Sequence, residues 1–245
     1  MSTKTRHSDK ILIVIPYWEG DRVRAIRLSH LLADLQPTHS DAFDIVFVNR
    51  FDAAPVKPTT ITYVSRKFNV FQHRSARRET GWPAGCNGLF FGSMEFCYHK
   101  IAAEQVPAYK AVFICAGDTI PVRRDALSYL HQEWDRLSVK VAGPLIPGGE
   151  KDHINGDACL LSGDLPFLKW ITRDVGGIKV MAGWDWVLAD DFKRRGWANI
   201  PGILSLWQTK TMSTETANDL VEKGAVWIHG VKDDSLLKYA RKTIL

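Results

Sequence analysis

The sequence predicts an α/β domain in which a central, mostly parallel sheet is flanked by helices. Two observations carry that prediction. Residues 11–15 and 111–115 are runs too short for independent helices and too continuously apolar for strands with one wet face, so both belong in the buried middle of a sheet. Between residue 15 and the next strand, expected at 43–48, Val23, Ile26, Leu31, Leu32 and Leu35 recur at helical spacing. The order strand, helix, strand leads to a right-handed crossover and parallel neighbours.

At 245 residues, 45% of them hydrophobic and 11% aromatic, the chain can fill one sizeable core. It shows no internal repeat, low-complexity tract or linker, which leaves residues 10–245 as one domain behind a mobile polar leader, 1–9. The balance of 32 basic and 27 acidic residues favours anionic ligands without specifying nucleic acid. No apolar run approaches the ~18 residues of a membrane span, and there is no signal-peptide core. Cys86, Cys97, Cys115 and Cys159 form no CxxC pair and read as reduced core thiols, so the expected location is cytoplasmic.

The first strand ends at Pro16-Tyr17-Trp18-Glu19-Gly20-Asp21, a loop on which a nucleotide or sugar can stack, with Asp21 suited to cap the helix that follows. The next ends at Asn49-Arg50-Phe51-Asp52. GxGxxG and GxxxxGK[ST] are both missing, which argues against a dinucleotide fold and excludes a P-loop. Residues 61–64 read as a short edge strand. Arg66, Lys67, His73, Arg74, Arg77 and Arg78 follow, interleaved with Phe68, Asn69 and Phe71. Such a run is either a solvated face or, because it leads through Gly81-Trp82-Pro83 into a helix at about 84–104, an anion site at that helix's positive end.

Asp118 ends the second apolar run, at the strand terminus where open α/β sheets bind ligands. Asp118-Thr119 equally suits a turn or the cap of a helix near 123–137, while a lone carboxylate there can ligate a hard cation that holds a phosphate. After a strand at 139–142 and a Gly/Pro-rich loop at 143–149, residues 153–162, HINGDACLLS, display polar side chains before a buried strand. Asp164-Leu165-Pro166 opens another helix. Residues 183–195 form one helix with a basic last turn, then come short β segments at 197–203 and 205–208 and a helix or loop at 215–222.

Strand-end Asp118, HINGDACLLS, Gly183-Trp184-Asp185-Trp186 and the C-terminal IHGVKDDS, taken in that order, resemble a nucleotide-sugar glycosyltransferase of the GT-A type. The motifs span the chain from the second apolar run to the C-terminus. The N-terminal half matches in organisation. The resemblance implies a single Rossmann-like GT-A domain that binds a nucleoside diphosphate sugar and transfers its sugar to an acceptor hydroxyl, on a glycan or on a hydroxymethylated pyrimidine in DNA. The alternative is a non-catalytic sugar-nucleotide or nucleic-acid binding module of the same fold.

In that family a strand-end DxD holds Mn2+ or Mg2+, and here Ala116-Gly117-Asp118 stands in its place with the last acid alone. A C-terminal histidine often adds a ligand, so the implied metal ligands are Asp118 and His229. Lys232, with Arg74, Arg77 and Arg78, would neutralise the departing diphosphate. Tyr17, Trp18 and Asp52 would meet the base or ribose, and His153, Asn155 and Gly156 the sugar or acceptor. Asp185, between Trp184 and Trp186 whose rings can pack on a sugar, matches the family's catalytic acid, with Asp157 as the second candidate base.

Overall fold

The computed structural model describes residues 8–106, 108–148, 150–175, 182–207 and 209–245. Most of the expected leader, 1–7, lies outside them. The first apolar run is β1 (Ile11–Tyr17), and α1 (Arg22–Leu35) returns the chain to β2 (Phe43–Asn49), parallel to β1 along its whole length. Residues 58–64, read partly as a strand, are instead helix α2 (Pro58–Val64). Its β-branched run suggested extension, but Pro58 sits in the first turn, where its fixed φ starts a helix, and Thr60 and Val64 are buried one turn apart.

The basic run contains a strand that its charges hid. β3 (Asn69–Arg74) pairs parallel with β2 and forms the sheet edge, so its side chains are exposed or half-buried and none is fully buried. α3 (Ala84–Ala102) then leads to the second apolar run, β4 (Ala111–Cys115), which pairs parallel with β1 and is wholly buried. After it come β5 (Thr119–Pro121), α4 (Ala126–Arg136), β6 (Val141–Gly143), β7 (Leu145–Ile146), β8 (His153–Ile154) and β9 (Ala158–Ser162).

α5 (Leu165–Lys169) follows, and the single helix expected over 183–195 is two, α6 (Trp184–Val187) and α7 (Ala189–Arg195), meeting at Leu188. The β segments expected at 197–203 and 205–208 are shorter, β10 (Trp197–Asn199) and β11 (Ile203–Ser205), and residue 208 lies outside the described set. α8 (Thr214–Glu222), β12 (Trp227–His229) and α9 (Ser235–Ile244) complete the chain.

The main sheet has the order β10-β6-β9-β4-β1-β2-β3 and is parallel except for β9, which runs antiparallel to β4 and β6. Alternation along β1 sends Ile11, Ile13 and Ile15 to a core shared with α1, α4 and α9, and Leu12 and Val14 to one shared with α3 and α5. Both faces are therefore covered, which is why the strands read as unbroken apolar runs. A second sheet, β11-β12-β5, lays β12 antiparallel to β5 with His229 opposite Thr119. Among the described residues, no helix is long and apolar enough to cross a membrane. Cys97, Cys115 and Cys159 are buried free thiols, but Cys86 is exposed at the start of α3 rather than in the core.

Candidate active site

β4 stops at Cys115 because the chain turns there. Ala116 N–H donates to Asp157 O (3.0 Å), Thr119 N–H donates to Ala116 O (2.8 Å), and β5 begins. A Cβ on Gly117 would lie 2.9 Å from Arg24 Cβ and 3.1 Å from Ala25 N, so the turn can approach α1 only with glycine in that position. The turn directs Asp118 toward β12. Lys232 Nζ donates to Asp118 Oδ2 at 2.8 Å, and His229 Nδ1 stands 3.2 Å from Asp118 Oδ1.

Thr119 fixes the histidine. Its hydroxyl donates to Asp157 O (2.9 Å), which leaves an oxygen lone pair to accept from His229 Nδ1 at 3.1 Å. The proton therefore belongs on Nδ1. Nε2 is buried, has no hydrogen-bond partner among the described residues, and faces Asp157 Oδ2 at 3.7 Å. Burial opposes charge on His229, but the hydrogen bond and charge of Asp118, with Asp157 adding to them, hold its pKa above the usual value. Burial likewise opposes charge on Asp118, and the His229 and Lys232 partners outweigh it and hold that carboxyl well below the usual range.

Asp157 is pushed the other way. Loss of solvation in the cleft, with Asp185 and Asp118 adding like charge, raises its pKa although His229 and Lys232 counteract. The side chain still keeps 56% of its surface open, so the cleft crowds this carboxylate without sealing it off.

Two cavities meet at Asp157. The smaller, about 170 Å³, is lined by Tyr17, Trp18, Arg24, Asp118, His229 and Lys232 among others. The larger, about 630 Å³, includes His153, Asn155, Gly156, Asp185, Trp186 and Lys232 in its lining. Cys86, Asp157, Trp184 and Lys232 belong to both. In the larger cavity Asp185 is tied to backbone, its Oδ2 accepting from Gly156 N–H and its Oδ1 from Trp186 N–H, each at 3.0 Å. Gly183 occupies the cap position of α6, which leaves Asp185 in its first turn. Trp184 lies flat on Phe90, with centroids 3.4 Å apart and planes at 6°, and Asn87 holds its backbone through a 2.8 Å bond from Trp184 N–H.

The structure does not bring every expected residue to this place. Arg74, Arg77 and Arg78 line neither cavity. The reason is topological: β1 and β2 stand between β4 and β3, which puts the end of β3 three strand spacings, roughly 14 Å, from the end of β4. Arg77 is paired with Glu95 at 2.6 Å, and Arg78 lies 5.0 Å above Phe51. Asp52 also lies outside both cavities and binds Arg50 through two hydrogen bonds, 2.6 and 2.7 Å. Arg50 in turn sits 5.6 Å from the Trp18 ring. Tyr17 lines the smaller cavity but spends its hydroxyl on Ala54 O (3.1 Å), and burial pushes its pKa up to about 12.

Residues that sequence reasoning passed over include Trp82, Trp207, Ser205, Arg24 and Cys86. Trp82 and Trp207 are 73% and 63% exposed, which no local pattern announces. Arg24 reaches the site by donating to Lys232 O at 2.6 Å across 208 residues of sequence.

No protein-family profile and no curated protein matches the chain. Solved structures do. A glycosyltransferase involved in glycosylation of the major capsid of PBCV-1 superposes with a TM-score of 0.51 at 14% identity, covering 96% of this chain and 98% of that one. The glycosyltransferase GlyE of Streptococcus pneumoniae TIGR4 gives 0.58 at 11% identity (95% and 60%), and the bifunctional glycosyltransferase WbbM gives 0.60 at 9% identity (96% and 50%). The chain thus spans about three fifths and one half of the length of the latter two. At such identities the likeness is one of fold, and the fold is that of GT-A glycosyltransferases.

Proposed function

We propose that this chain is a glycosyltransferase that moves a sugar from a nucleoside diphosphate sugar to an acceptor hydroxyl. One observation carries the reading. Asp118, Asp157, His229 and Lys232, drawn from three separate stretches of sequence, converge where two cavities join at the carboxyl end of the central strands of a GT-A fold. The smaller cavity would take the nucleotide, with Tyr17 and Trp18 against the base or ribose and Lys232 on the diphosphate.

The acceptor hydroxyl would attack the anomeric carbon as the bond to the diphosphate oxygen breaks. In an inverting displacement a carboxylate takes the hydroxyl proton, and the diphosphate leaves with the bonding electrons. Asp157 suits the base better than Asp185 does. It faces both cavities and keeps more than half of its side-chain surface open, whereas both oxygens of Asp185 accept from backbone N–H groups. Asp185 would then hold the Gly156 turn in place beneath the sugar.

Among the described residues no group of three or more His, Cys, Asp or Glu side chains is placed to hold a metal ion, so a divalent cation would rest on two protein ligands and on the diphosphate. His229 Nε2 is a buried nitrogen without a partner among the described residues, and the Asp118 carboxylate supplies a hard oxygen of the kind that suits Mn2+ or Mg2+. Asp118 and His229 would hold the ion, which when bound supplies positive charge to the diphosphate. Lys232 already brings one such charge to the same carboxylate.

The test is nucleoside diphosphate release from a panel of UDP-, GDP- and dTDP-sugars, with and without Mn2+. Release from at least one donor is expected, reduced by about 10²-fold or more in Asp157→Asn. Binding without release from any donor would favour the non-catalytic module. Release that survives both Asp118→Ala and His229→Ala would remove the metal assignment.

A further inference from the structure

We propose that the 630 Å³ cavity is the acceptor site and that it takes an uncharged saccharide laid against Trp82 and Trp207, not a nucleic acid. The inference rests on the glycosyltransferase reading above and names the acceptor class for it. Its volume falls within the range that encloses a drug-sized ligand, which leaves room for more than one pyranose ring.

Three features of the lining point to this class. The first is aromatic. Trp82, Trp184, Trp186 and Trp207 all line the cavity, and Trp82 and Trp207 are the two most exposed large hydrophobic side chains among the described residues. Broad apolar faces left in water mark ligand or partner surfaces, and a pyranose presents matching C–H faces between its hydroxyls.

The second is polar. Asn155, His153 and Ser205 share the lining, and His153 Nδ1 and Ser205 Oγ are buried without a partner among the described residues. Groups of this kind call for hydrogen-bonding ligand atoms at the wall, since leaving them unmade is costly. A hydroxyl-rich ligand supplies both donors and acceptors.

The third is charge. The lining carries the carboxylates of Asp157 and Asp185, and its one lysine or arginine among the described residues, Lys232, is the side chain that the donor diphosphate would engage. Lys151, which stands 4.5 Å from the Trp186 ring, is itself paired with Asp190 at 3.1 Å. Nucleic-acid interfaces are strongly basic because phosphate contacts supply most of the affinity. Here a polyanion would meet two carboxylates and no uncommitted cation among those residues, while Arg74, Arg77 and Arg78 lie outside the cavity.

The experiment titrates the purified chain, without donor, against a panel of neutral methyl glycosides and disaccharides. Tryptophan fluorescence and ligand-observed NMR report binding, and an oligonucleotide containing hydroxymethylated pyrimidine forms the second arm. At least one saccharide is expected to bind. Trp82→Ala and Trp207→Ala should each weaken it by about tenfold, ~1.4 kcal/mol, while thermal unfolding shows both variants folded. The proposal is overturned if no saccharide binds at tens of millimolar, if binding is indifferent to both substitutions, or if the oligonucleotide binds in a manner that Trp82→Ala abolishes. Saccharide binding without diphosphate release from any donor would instead overturn the transferase reading and leave the cavity assignment standing.

Discussion

Asp157 and Asp185 are the same residue type in one cleft, and what distinguishes them is who occupies their oxygens. Asp185 accepts two backbone N–H groups, so Asp185→Asn keeps one acceptor oxygen and should lower the transfer rate by about tenfold or less. Asp157→Asn removes the basic oxygen itself and should lower kcat by about 10² to 10⁴. Equal losses would return Asp185 to the role of base. Gly156 makes a separate prediction. A Cβ there would lie 2.3 Å from Trp184 Cζ2, and Trp184 cannot retreat because Phe90 stacks on its face. Gly156→Ala should therefore cost about 1–3 kcal/mol of stability, read by denaturant unfolding. The residue types at both positions were legible in sequence. Which carboxylate is tied down was not, since the bond from Gly156 N–H to Asp185 spans 29 positions.

Among the elements, α5 shows a local signal kept by the fold. Asp164 caps it, accepting from Phe167 N–H at 2.8 Å, and also binds Lys140 at 2.7 Å and the Ser162 hydroxyl. Partial burial opposes charge on Asp164, yet these partners hold its pKa below the usual value. Its contribution is thus fully present above the unfolded pKa of ~3.9 and is lost as pH falls through the lower folded value. Asp164→Ala should cost about 1–2 kcal/mol at pH 7. The gap from wild type should close in acid, and a gap that does not change with pH would show that the carboxylate's charge is irrelevant. Asp21, an equally good cap by sequence, makes no capping bond and accepts instead from Arg24 at 3.1 Å. Propensity proposed both caps, and neighbouring side chains chose between them. The same competition explains β3, whose charged residues suit a loop until β2 offers a free edge to pair with.

At the scale of the whole molecule, Asp44 ties the sheet together at the end remote from the site. It is 4% exposed and accepts from Lys10 (3.0 Å) ahead of β1, Asn69 (2.9 Å) in β3 and the Tyr109 hydroxyl (2.9 Å) ahead of β4. Asp44→Ala would strand all three donors. It should cost ~3–5 kcal/mol and lower Tm by roughly 6–20 °C. Tyr109→Phe, which leaves the other two bonds intact, should cost only about 1 kcal/mol. A smaller loss in Asp44→Ala than in Tyr109→Phe would show that the network contributes nothing as a unit. The sequence by itself determined that a buried, mostly parallel sheet runs through this chain, because continuous apolar runs and 3.6-residue periodicity are local properties. It also named Asp118, His229, Lys232 and the two candidate carboxylates, because their residue types and order are written in the chain. Tertiary structure alone decided which of these meet. The strand order puts β3 at the far edge with Arg74 at its end, and the antiparallel pairing of β12 with β5 carries His229 to Thr119 across 110 positions. Strand order and long-range pairing are set by the summed burial of both sheet faces, a quantity that no single segment contains.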